Sequence, residues 1–339
     1  MTIPSPTARE TSPAENSAKR PFFLHTKTGV YIALALALVL GVCYALSMAR
    51  DFDFRIGHFA LDSIPFYIAA VIAGLGVLFT AAAYFSAGMK IYDPIPEPSP
   101  RSAFASVLAA AMCLLVLYDA VRTAAAAVPT TAKTPSPENL GLWSAIAGLF
   151  LAASVLLGFF GENRGLKTLP VVCAVIGALS VNLAMFACYF DFTIPLNSPV
   201  RNFTTLMQAA ILLFLFSEAR LMIVKEPKEL PPPFQLATEY AAVILGMGVS
   251  LGGILWRVIR MILAAGGSDF FLAGPEPNLP LPRLVLYFAL SLIALDRLLA
   301  GSRTLRDLTK EEIEEAERKA KEAKEKKKRK RGAQENNPV

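Results

Sequence analysis

The chain has 339 residues, of which 54% are hydrophobic and 18% charged, with a formal net charge of +6. So few charges, against about a quarter in soluble domains, argue against a water-soluble globular protein. The charge also says little about nucleic acid, because residues 310–331 alone carry eleven Lys or Arg against seven Glu, a net of +4.

A hydrocarbon core about 30 Å thick needs about 20 apolar residues to cross it as a helix. Eight stretches meet that need, at about 29–49, 64–87, 103–127, 139–161, 168–190, 203–224, 236–265 and 281–300. The fold class expected is therefore all-α integral membrane, with eight transmembrane helices. Residues 1–28 are polar and Pro/Ser-rich and read as a disordered cytoplasmic segment before an uncleaved first span. Cys43, Cys113, Cys173 and Cys188 all fall inside predicted spans and read as packing thiols. His25 and His58 lie on opposite sides of the first span and cannot share a metal.

With an even number of spans, both termini share one side. Placing them inside gathers Arg9, Lys19, Arg20, Lys27, Lys90, Arg101, Arg164, Lys167, Arg220, Lys225, Lys228 and the basic tail in the inner segments. The positive-inside rule then makes both ends cytoplasmic. Loops such as Asp93-Pro94-Ile95-Pro96-Glu97-Pro98 and Pro231-Pro232-Pro233 are short and proline-stiffened, with no room for an extramembrane domain.

A four-plus-four duplication is expected from one recurring offset. Asp53-Phe54-Arg55-Ile56 recurs as Asp191-Phe192-Thr193-Ile194, and 191 − 53 = 138. Leu117 to Arg122 recurs at the same spacing as Leu255 to Arg260, and Lys90 and Pro94 as Lys228 and Pro232. The units would be 29–161 and 162–300, parallel and related about the membrane normal.

Ionisable groups inside a span cost at least ~2.5 kcal/mol and mark partners or water. One layer holds Asp119 and Arg122 on the third span with Arg257 and Arg260 on the seventh. With Asn182 on the fifth span, these are candidate contacts for an anionic or zwitterionic solute. A second layer holds Glu218 and Arg220 on the sixth span with Asp296 and Arg297 on the eighth, and the pairings to test are Glu218–Arg297 and Arg220–Asp296. The weightier reading of each layer is structural, fixing helix register or snorkelling to the headgroups.

Gly246, Gly248, Gly252 and Gly253 make the seventh span a close-packing helix. Ala109, Ala110 and Ala111 suggest the third span as its partner. Asp51, Asp53, Asp62 and His58 read as a solvated loop rather than a cation site. Asn202-Phe203-Thr204 has the form of a glycosylation sequon at the membrane edge.

Beyond 301 the chain is expected to leave the membrane as a charged cytoplasmic tail, helical over about 310–330. Thr309-Lys310-Glu311-Glu312 forms a capping box. Glu314–Arg318, Glu315–Lys319, Glu317–Lys321 and Glu322–Lys326 are favourably ordered i,i+4 pairs. Lys326, Lys327, Lys328, Arg329, Lys330 and Arg331 form a basic block suited to anionic lipid or a protein partner, with nucleic acid a lesser reading.

No H-E-x-x-H, G-x-S-x-G or Walker pattern is present, so neither an enzyme nor a cofactor is specified. Two functional readings remain open: a carrier or membrane subunit for a small solute, and a scaffold whose tail binds lipid or a membrane or cytoplasmic protein. Asp53-Phe54-Arg55-Ile56-Gly57-His58-Phe59 after Ser47-Met48-Ala49-Arg50, together with Ser217-Glu218-Ala219-Arg220, resembles multi-spanning bacterial membrane proteins. That resemblance implies a bacterial plasma membrane and no particular activity.

Overall fold

A computed structural model of the chain describes residue 24 and residues 27–53, 56–86, 100–126, 146, 148–151, 153–154, 169–190, 197–223, 232–265 and 279–300. The long helices are α1 (Lys27–Arg50), α2 (Ile64–Ser86), α3 (Pro100–Ala126), α5 (Leu169–Tyr189) and α6 (Pro199–Ile223). The described residues between 146 and 154 are helical and belong to α4, and 281–300 is α8. Between them Pro232–Ala241, a π-helical turn Ala242–Met247 and Gly248–Ala265 follow without a break as α7. Each lies on an expected span.

Among the described residues, α1, α2, α5, α6 and α7 are long and apolar enough to cross a membrane. The chain is thus a multi-pass helical membrane protein. In α3 the apolar part is shorter, Val107–Asp119, and α8 carries Arg283, Asp296 and Arg297 within its twenty residues. The outward faces suit lipid: Val71, Leu78, Phe85, Val107, Tyr118 and Ile262 are all exposed.

Helix starts follow local chemistry. The first residues of α3, α6 and α7 are Pro100, Pro199 and Pro232, where proline's missing N–H is no loss and its φ suits the helix. Ser63 caps α2, accepting from the Phe66 amide at 3.3 Å while its hydroxyl donates to Asp51 Oδ2 at 2.6 Å. The end of α1 is thereby tied to the start of α2.

Between α1 and α2 lies a feature that helical periodicity does not foresee, a two-stranded hairpin. Its strands, β1 (Phe52–Asp53) and β2 (His58–Phe59), pair antiparallel with Phe52 opposite Phe59. Gly57, at φ 70°, supplies the left-handed turn residue. The Phe52 and Phe59 rings meet edge-on at 5.1 Å, Phe59 stacks on Phe66 at 4.6 Å, and Phe203 lies 5.1 Å from Tyr44. This aromatic run seats the hairpin on the ends of α1, α2 and α6.

Within the bundle α7 is the central helix, with every residue from Leu236 to Ser250 buried. Its first half packs on α2 and α6, and its second half on α1. The glycines explain how four helices approach one. A Cβ at Gly248 would lie 2.7 Å from Leu40 Cδ2, and one at Gly252 would lie 2.8 Å from the Gly41 carbonyl oxygen. On another face, a Cβ at Gly246 would meet Ser291 Oγ at 2.7 Å and one at Gly253 would meet Leu284 at 2.9 Å. Gly248 and Gly252 thus serve α1, while Gly246 and Gly253 serve α8.

That placement corrects the suggested third–seventh contact. The α7 glycines meet α1 and α8, while α3 meets α4 at Cys113, whose carbonyl oxygen would lie 2.7 Å from a Cβ on Gly148. Among the described residues of α3, Ala109, Ala110, Cys113 and Val116 are buried. From α6 the bundle extends outward: α5 packs on α6, Gly177 of α5 meets Leu151 of α4, and α4 meets α3.

Candidate functional site: a charge cluster between three helices

The end of the bundle opposite the hairpin holds a cluster of three charged side chains, one on each of α6, α7 and α8. Glu218 lies five residues before the end of α6, and Arg297 three residues before the end of α8. Glu239 lies seven residues after the start of α7. Because α7 runs antiparallel to α6 and α8, these positions fall at similar depth.

Arg297 Nη2 donates to Glu218 Oε2 at 3.1 Å, with side-chain exposures of 24% and 12%. One of the two ion pairs expected in the second layer is therefore formed. Glu239, 3% exposed, was not among the expected site residues. Its Oε1 accepts from Gln235 Nε2 at 2.8 Å, one turn earlier on α7. The Arg297 charge acts on Glu218 most strongly, and also on Glu239 and Asp296.

Two buried atoms at the pair keep unused hydrogen-bonding capacity among the described residues, Glu218 Oε1 and Arg297 Nε. Buried polar atoms normally find partners, so the pair is built for more contacts than it makes. Of the other expected members, Asp296 is half-buried and Arg220 is exposed.

Next to Glu239, the Tyr240 hydroxyl donates to the Leu24 carbonyl at 2.5 Å, and its ring meets Phe79 of α2 edge-on. Leu24, 1% exposed, thereby brings the approach to α1 across this end of the bundle. The π-turn follows within two residues of Tyr240. There the Gly248 amide faces the carbonyls of both Ile244 and Leu245, and the Ser250 hydroxyl lies 2.7 Å from Gly246 O and 3.1 Å from Met247 O. Such turns widen a helix locally and are frequent at functional sites.

In the first layer, Arg257 Nη2 donates to the Leu279 carbonyl at 2.8 Å, anchoring the lead-in to α8. Asp119 and Asn182 are half-buried on α3 and α5, and Arg260 is half-buried on α7. The Arg122 side chain lies outside the described residues, as do Lys326, Lys327, Lys328, Arg329, Lys330, Arg331 and the capping box at Thr309. Charged residues at matching depth on neighbouring spans were the signal that found Glu218–Arg297.

A second polar group was also missed in the sequence. Gln208, 1% exposed on α6, donates to the Tyr287 hydroxyl of α8 at 3.2 Å and reaches Cys188 of α5 at 3.8 Å. Arg201, one face-repeat earlier on α6, donates to the Tyr189 carbonyl. An apolar groove of about 340 Å³ between α2 and α6, lined by Phe66, Ala73, Gly74, Val77, Phe203 and Leu206, carries no titratable group.

Neither a protein family, nor a curated protein, nor a solved structure matches this chain. The class of protein is therefore defined by its own geometry, a multi-pass helical membrane protein with a charge buried towards each end, Arg201 near the hairpin and Glu239 at the other.

Proposed function

We propose that this protein is a plasma-membrane carrier, or the membrane subunit of one, for a small anionic or zwitterionic solute. The observation that carries this reading is the charge cluster on α6, α7 and α8 beside a central helix that contains a π-turn. Ionisable groups at such depth usually serve a pathway or a relay. In this reading Asp119, Arg122, Asn182, Arg257 and Arg260 contact the solute, and both termini are cytoplasmic. The basic block 326–331 holds the tail to anionic lipid.

The four-plus-four duplication belongs to the same reading. Two hydrogen bonds join the loops that the 138-residue offset equates: His58 Nε2 with Asn197 Oδ1 at 3.2 Å, and Ser198 Oγ to Gly57 O at 2.7 Å. Contact between equivalent loops is what parallel repeats about a central axis would give.

A scaffold reading has one observation in its favour. Arg257 has a structural task at the Leu279 carbonyl, which anchors a helix without any solute. The two readings separate in one experiment. After replacing the four native cysteines, Asp119→Cys and Arg257→Cys proteins are treated in intact cells with a membrane-impermeant thiol reagent. A carrier gives labelling at both positions that a panel of small anions and zwitterions slows. Absence of labelling in a folded, inserted protein favours the scaffold.

A further inference from the structure

We propose that Glu239 is a proton-binding carboxyl that exchanges between two partners, Gln235 on its own helix and Arg297 on α8. The argument rests on charge count and geometry. Arg297 is engaged by Glu218 at 3.1 Å, while Glu239, 3% exposed, is held by the neutral amide of Gln235 at 2.8 Å. One guanidinium thus pairs with Glu218 on α6 and is near enough for its charge to act on Glu239 of α7. With both carboxyls ionised the trio carries one negative charge in excess, the half-buried Asp296 beside Arg297 adds to that excess, and binding a proton at Glu239 reduces it. A net charge in hydrocarbon surroundings is costly, so the trio is the place where a proton enters or leaves.

The surroundings of Glu239 favour a proton over a metal ion. Among the described residues no three His, Cys, Asp or Glu side chains gather to hold a metal. The charged groups acting on Glu239 are Glu218 from α6 and Arg297 from α8. Asp296, also on α8, acts on Arg297. On its own helix the neighbour is the Tyr240 phenol, whose hydrogen is given to Leu24 O, and the α2 side contributes the apolar ring of Phe79.

The step is a plain protonation. Water at this end of the bundle supplies the proton, an O–H bond forms on Glu239 Oε2, and Oε1 keeps its bond from Gln235. On release the proton returns to water, and the carboxylate turns to Arg297, whose buried Nε has no hydrogen-bond partner among the described residues. Glu218 and Glu239 then share one cation, and the link between α6 and α8 loosens as the one to α7 forms.

Proton binding at Glu239 holds for a carrier and for a pH-sensing scaffold alike, so its test needs no solute. The full-length protein in lipid vesicles is titrated with pH while its infrared spectrum is recorded in H2O and in D2O. The expected result is a protonated-carboxyl C=O stretching band that titrates, disappears in Glu239→Gln, and in Glu218→Gln titrates at lower pH, because Arg297 is then free to pair with Glu239. An unchanged band in Glu239→Gln overturns the assignment, as does a band that sodium abolishes at fixed pH. Should Glu239→Gln fail to fold, Gln235→Ala keeps both carboxyls. Its band shifts in frequency if Glu239 is the carrier of the proton, and an unshifted band overturns the assignment.

Discussion

Removing one member of a buried ion pair costs more than the pair contributes, because the remaining charge keeps its desolvation penalty. Arg297→Ala leaves Glu218, 12% exposed, facing that situation with Glu239 nearby. A loss of about 3 kcal/mol is expected, at the low end for buried pairs, because Arg297 keeps 24% of its side chain exposed. Denaturant unfolding in detergent reads it directly, and Arg297→Ala combined with Glu218→Gln recovers a large part. At Ser63 the hydroxyl both caps α2 and donates to Asp51. Ser63→Ala therefore costs about 1 kcal/mol by the ordinary value of a cap, read in the same assay. The Glu218–Arg297 pair was legible in the sequence because opposite charges at equal depth on two spans have few alternatives. Glu239 was not, since an acid near the start of a span looks like a boundary residue in water. Only the packing of α6 and α8 around α7 turns that position inward.

At the scale of elements, the span positions followed from hydropathy alone, and α8 covers 281–300 as expected. The glycines of α7 announced close packing but not its address, because a residue without a side chain carries no information about its neighbour. The partners proved to be α1, through Gly41, and α8, through Ser291 and Leu284. The π-turn was equally illegible, since one extra residue in a turn is selected by what surrounds it, here Ser291, Ile211 and the Ser250 hydroxyl. The hairpin escaped because strands of two residues leave no alternation to read. The glycines also give a sharp contrast in stability. Gly252→Ala places a methyl group 2.8 Å from the Gly41 carbonyl and 2.7 Å from the Tyr44 ring, and the overpacking should cost about 1–3 kcal/mol. Gly74→Ala meets nothing within 4 Å and should gain up to about 1 kcal/mol from helix propensity. Thermal unfolding of the two variants side by side checks both signs.

For the whole molecule, the central claim is a bundle that crosses the membrane many times, with the hairpin outside and both termini cytoplasmic. Leu61 beside the hairpin is 91% exposed, and Ala333 lies beyond the basic block of the tail. The most direct measurement takes protein freed of its native cysteines and carrying either Leu61→Cys or Ala333→Cys. Intact cells are treated with a membrane-impermeant thiol reagent before and after permeabilisation. The cysteine at position 61 should label at once, and the one at 333 only after the membrane is opened. Labelling at 333 in intact cells, with 61 protected until permeabilisation, would contradict the orientation, and prompt labelling of both would contradict the even number of crossings.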